Sequence, residues 1–213
     1  MNWRGYSSKW SNMAKGASIN EVRKKVTKTY ELISTSYHEA GHTIFALFHR
    51  MKVNSVYVFE HKILKRIHGF TQYECGNSEE NTNITALLEQ EIGLSYAGLL
   101  AEKHHFKSIS GSDQVPMFIK EGSSDDLLAI RQIIQKYNPV PAGKERNAYK
   151  KKIARKSLTM LIEHWEAIDL VAHSLFKHKR LSYQDLKVLL TTKSRNRKFW
   201  KETFKEIDQI FPE

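Results

Sequence analysis

The pentapeptide His38-Glu39-Ala40-Gly41-His42 does most to limit what this chain can fold into. On a helix, residues four apart lie on one face. His38 and His42 then point the same way, one turn apart. Two neutral imidazoles so placed can grip one zinc ion, each nitrogen at roughly 2.0–2.1 Å. Glu39 follows the first of them, where it can take a proton from water on the metal and pass it to a leaving amine. Ile44, Phe45, Leu47 and Phe48 continue an apolar face, so the spacing predicts a metal site on a core helix. Without metal, the same two residues could be hydrogen-bonded core histidines.

The rest of the chain sets the frame. Its 213 residues suffice for one large domain or a domain with an extension. Hydrophobic residues at 40% and charged residues at 27% support a globular core. Cys75 is the one cysteine, which excludes an internal disulfide and a cysteine-based zinc finger. No apolar run approaches the ~20 residues of a membrane span, and no signal-peptide pattern opens the chain. The expectation is a soluble, cytoplasmic protein. A net charge of +11 can attract nucleic acid, anionic membrane or acidic proteins. The basic runs Lys150–Lys152 and 195–198 have little aromatic interleaving, so they read as solvated faces and nucleic acid is not an expected partner.

In chain order, residues 1–17 read as a loose N-terminal arm carrying Trp3 and Trp10. Ser18-Ile19-Asn20-Glu21 has capping-box spacing and can start a helix, with Val22, Val26 and Tyr30 on one side. Ser34-Thr35-Ser36 either restarts that helix or lies within it, and the motif helix is expected to run to about Arg50. Val53–Phe59 and Ile67–Tyr73 are predicted strands, joined by 60–66. A strand beside a cleft can pair with an extended peptide. Ile84, Leu87, Leu88, Ile92, Tyr96, Leu99 and Leu100 follow a helical period and predict a helix over about 82–105. Its Ala97-Gly98 pair permits close helix packing. Residues 106–122 read as a loop. Ser123–Asp126 reads as a helix start, followed by an apolar face of Leu127, Ile130, Ile133, Ile134 and Tyr137. Residues 138–143 break the chain. One long helix is predicted from Glu145 through Leu175, a short one from Leu181, and a last one holding Phe199, Phe204, Ile207 and Phe211.

A catalytic zinc takes three protein ligands and leaves a position open. The pattern H-E-x-x-H-x-x-G-x-x-H fails here, because Phe45 stands at the glycine position and Phe48 at the third histidine. Glu60, His104, His105, Asp125 and Asp126 are the remaining candidates. An Asp in the first turn of a helix is held ionised by the helix dipole, as a metal ligand must be. Such an Asp is by default only a cap. Spacing leaves the choice open.

Several motifs in order point further. Tyr37-His38-Glu39-Ala40-Gly41-His42 resembles the zinc motif of the FtsH family of ATP-dependent metalloproteases. Gly69-Phe70-Thr71-Gln72-Tyr73 is similar to that family's second strand, and Ala97-Gly98-Leu99-Leu100-Ala101-Glu102 to its Gly-Gly-Arg-Ala-Ala-Glu segment. Gly122-Ser123-Ser124-Asp125-Asp126-Leu127 resembles its Gly-Ala-x-Asn-Asp-Leu segment, whose last Asp is the third zinc ligand; that position is Asp126. The segments around Leu161, Val171, Leu175 and Leu186 resemble the closing helices. The likeness covers roughly residues 30–190. The chain departs from it at Leu99, which replaces Arg, and at Asp125, which replaces Asn. The loop before Asp126 is longer. No Gly-rich phosphate loop with Gly-Lys-Ser/Thr occurs, so ATP-driven unfolding is not expected from these residues.

The resulting expectation is a mainly α (α+β) fold with a small sheet beside the motif helix. Residues 18–191 form the peptidase domain and 192–213 a C-terminal helical extension. His38, His42 and Asp126 hold Zn2+, Glu39 is catalytic, and Gly69, Phe70 and Thr71 bind substrate. The function implied is a stand-alone zinc metalloendopeptidase acting on unfolded or flexible polypeptides, with a separate ATPase or unfoldase as a possible partner. The alternative is an adaptor that keeps the peptidase fold and docks on another protease or ATPase.

Overall fold

A computed structural model describes residues 19–63, 65–76, 83–112 and 123–212. The N-terminal arm, the Ser18 cap, the Val22 side chain and the stretch 113–122 lie outside the described residues. The chain is mainly helical, with seven helices and one small antiparallel sheet among the described residues.

The first helix, α1 (Ile19–Phe48), runs unbroken through Ser34-Thr35-Ser36 and extends about 45 Å. Its two halves differ. The N-terminal half is largely exposed, Val26 included, whereas nearly every residue from Ser36 to Leu47 is buried. A helix covered on all sides is a core helix, and the rest of the fold is arranged to cover it.

One cover is the sheet. Strands β1 (Lys52–Glu60) and β2 (Ile67–Glu74) form an antiparallel hairpin with an irregularity at Asn54. A three-residue strand, β3 (Arg180–Ser182), pairs with the other edge of β1, giving the order β2-β1-β3. β3 is not predicted by the sequence, because three residues are too few for an alternation to register. Val53, Val56 and Val58 point inward from β1.

A second cover is α2 (Ile84–Ser110), started by the Asn83 side chain and stopped by Gly111 in the left-handed conformation. It runs five residues beyond the expected end, since nothing between His105 and Ser110 breaks a helix and Gly111 is the first residue suited to a C-terminal cap. The crossing with α1 is close. A Cβ on Gly41 would stand 2.5 Å from the Ala97 carbonyl oxygen and 2.7 Å from Ala101 Cβ.

The long helix expected from Glu145 is two helices, α4 (Lys144–Glu163) and α5 (Trp165–His178), parted at His164. The break lets α4 pack on α2 while α5 turns onto α1. No Gly or Pro marks it. The His164 ring instead stacks on Phe199 and meets Trp200 edge-on. Helix α3 (Ser124–Tyr137) docks through a satellite cluster of Ile92, Ile130, Ile134 and Ile153 that ties α2, α3 and α4 together. Tyr137, expected on that apolar face, is exposed.

Ser182 caps α6 (Tyr183–Lys193) with a reciprocal bond from Asp185. The last helix, α7 (Arg197–Ile210), supplies Trp200, Phe204 and Ile207 to the same core that holds the C-terminal half of α1.

Candidate metal centre

His38 and His42 project from α1 toward the first turn of α3. Their Nε2 atoms stand 3.0 Å apart. Asp126 Oδ2 lies 3.0 Å from His38 Nε2 and 3.5 Å from His42 Nε2. The three residues are the one group of metal-ligating type found among the described residues.

Hydrogen bonds on the far side of each ring fix what these atoms are. His42 Nδ1 lies 2.9 Å from the Leu94 carbonyl oxygen. A carbonyl only accepts, so Nδ1 carries the proton and Nε2 of the neutral ring carries a lone pair. His38 Nδ1 lies 3.2 Å from Glu102 Oε2, which sets the same tautomer. Asp126 Oδ2 is buried and receives no hydrogen bond from the described residues. Three lone pairs therefore converge on one point, which is unfavourable unless a cation lies among them.

The electrostatics of the centre attract a cation, whether a proton or a metal ion. Burial opposes a charge on His38, yet the carboxylates of Asp126, Glu102 and Glu39 around the ring hold its pKa well above the ordinary value. Burial likewise opposes ionisation of Asp126, but the two rings hold its carboxyl well below the usual carboxylate range. The surroundings favour positive charge at the centre. Two imidazoles and a carboxylate are a zinc-type donor set. Tetrahedral bonds of roughly 2.0–2.1 Å put ligand atoms about 3.3 Å apart, close to the separations found here.

The two rings pack against α2 at Gly98. A Cβ on Gly98 would stand 2.4 Å from His42 Nε2 and 2.6 Å from His38 Nε2. A glycine at this point of α2 is what lets the two donor atoms approach the helix.

Glu102 is not assigned a role by the sequence reading, although it lies in a segment quoted for the resemblance. It is 5% exposed and accepts a bond from the Ser34 hydroxyl as well as from His38. A carboxylate behind a ligating imidazole orients the ring and raises its basicity. The available signal was position: Glu102 follows Gly98 by four residues and so shares its face of α2.

The other candidates go elsewhere. Glu60 pairs with Lys28. His104 meets the Trp165 ring edge-on at 4.4 Å. His105 stacks on Tyr37 with ring centroids 3.6 Å apart. Asp125 is exposed at the rim.

Glu39 is buried between α1 and β2. The Thr71 hydroxyl donates to its Oε2 at 2.7 Å. Gly69 lies directly against the same side chain. A cleft of about 570 Å³ opens over the group, with Ile67, Gly69, Phe70 and Tyr73 of β2 along one wall and Glu31 and Leu94 on others. The Phe70 side chain is half exposed. β2 pairs only with β1 among the described strands, so its second edge is free of strand partners.

No protein-family model matches the chain, and no curated protein sequence matches it. Among the described residues no helix is long and apolar enough to cross a membrane. What the centre can do is read from its own geometry.

Proposed function

We propose that this chain is a zinc metalloendopeptidase of the FtsH type, acting on flexible or unfolded polypeptides. The observation that carries the reading is the meeting of three metal-ligating atoms, from His38, His42 and Asp126, beside a buried carboxylate at Glu39. When bound, zinc would supply Lewis acidity toward a scissile carbonyl and acidify a water. The remaining work falls to the chain. His38 and His42 donate through Nε2 because Glu102 and the Leu94 carbonyl hold their Nδ1 protons. Glu39 accepts the proton of the attacking water as the new C–O bond forms. It then delivers that proton to the nitrogen as the C–N bond breaks, so an amine leaves and a carboxyl remains. The free edge of β2 along the cleft suits an extended polypeptide, which can add as a further strand.

Glu39→Gln tests the reading, since an amide keeps the shape but cannot accept the proton. The variant should retain zinc and lose at least ~100-fold in turnover of casein. A variant that cleaves casein like the wild type would refute the assignment. A wild-type protein that binds no zinc and turns over no unfolded substrate would favour the adaptor instead.

A further inference from the structure

On that reading of Glu39 as the base, we infer that Thr71 and Gly69 are positioning residues that seat its carboxylate. The strand read from sequence as a substrate-binding element thus has a second task, carried by two of its side-chain positions.

Three observations support this. The Thr71 hydroxyl lies 2.7 Å from Glu39 Oε2 and 3.4 Å from the Glu39 backbone oxygen. A hydroxyl has one proton to give, and the shorter contact takes it. Glu39 is itself 5% exposed, so water cannot easily replace that donor. A Cβ on Gly69 would stand 2.4 Å from both Cγ and Oε1 of Glu39. The carboxylate therefore occupies the space that any larger residue at 69 would fill.

The two positions act together because of the strand's period. Residues 69 and 71 lie two apart and face the same side of β2, here toward α1. One removes bulk beneath the carboxylate and the other fixes one of its oxygens. A base held in one rotamer needs no reorientation when water arrives. Phe70 between them faces away, with its ring 5.7 Å from that of Tyr57. Binding by the strand's backbone edge and seating of Glu39 by its side chains use different atoms, so they do not compete.

The experiment compares wild type, Glu39→Gln, Thr71→Val, Thr71→Ser and Gly69→Ala with fluorescein-labelled casein, reading kcat and KM separately. Zinc affinity is read by chelator competition and folding by thermal melting. Thr71→Val keeps the shape and removes the donor. It should lower kcat by ~10-fold or more, leaving KM and zinc affinity within about threefold. Thr71→Ser restores the hydroxyl and should recover most of kcat. Gly69→Ala should lower kcat at least as far while still binding zinc. The inference is overturned if Thr71→Val keeps wild-type kcat while Glu39→Gln is inactive, or if Thr71→Ser is as impaired as Thr71→Val. A rise in KM alone would return Thr71 to substrate binding and also overturn it. If Glu39→Gln itself is fully active, the peptidase reading has failed and not the seating of the side chain alone.

Discussion

At position 98 a single methyl group decides whether two histidines can meet a metal. Gly98→Ala would place carbon within 2.6 Å of both Nε2 atoms, and α2 is locked against α1 at Ala97 and Ala101, so the rings must yield. Zinc affinity should fall on the order of 10–100-fold, measured by chelator competition, with the helical circular dichroism retained. The two adjacent aspartates should separate as sharply. Asp126→Ala removes the one carboxylate oxygen at the centre and should weaken zinc by more than about 100-fold. Asp125→Ala, at the exposed rim, should change it by less than about threefold. The reverse order would move the ligand by one residue.

The element that matters most for the centre is α3, because it carries Asp126 yet holds on to the fold by few side chains. Its buried residues are Ile130 and Ile134. Ile130 lies one turn beyond Asp126 and packs in the cluster of Ile92, Ile134 and Ile153, and it is not itself one of the ligand residues. Ile130→Ala should cost about 2–4 kcal/mol in stability, read from urea unfolding. It should also weaken zinc at temperatures where the protein is still folded, since the third ligand arrives on the loosened element. An unchanged zinc affinity would show that α3 is anchored by other means.

For the molecule as a whole, acid stability follows from histidines the core keeps neutral. Burial, reinforced by the charges of His173 and His104, pushes His105 down to about 4. Burial also pushes His49 down to about 4, helped by Lys156 and Arg50. The unfolded chain takes up these protons near pH 6.5 and the folded chain only near pH 4. Stability is therefore full above pH 6.5 and falls as the pH drops toward 4. The share due to His105 is on the order of 2–3 kcal/mol. In chelator-treated protein, His105→Gln should flatten that decline relative to wild type. Equal slopes would show that His105 charges without penalty. The comparison between the two proteins cancels His38, whose raised pKa works in the opposite sense.

The sequence by itself determined the elements whose signals are local. The motif helix, both strands of the hairpin, the start of α3 and the amphipathic α2 follow from periodicity and capping residues within each stretch. So does the pairing of His38 with His42, because a four-residue spacing on a helix is a geometric statement. Tertiary structure alone decided what joins distant stretches. Asp126 stood beside Glu60, His104, His105 and Asp125 until a resemblance favoured it, since no spacing rule links α3 to α1; the satellite cluster of isoleucines fixes α3 to α2 and α4, and α2 in turn packs on α1. The break at His164 has no Gly or Pro to announce it, because its cause is the different partners of α4 and α5. Glu102, Gly98 and Thr71 acquire their meaning only when α2 and β2 lie against α1, for a hydrogen bond or a missing Cβ is significant only toward the atom it faces.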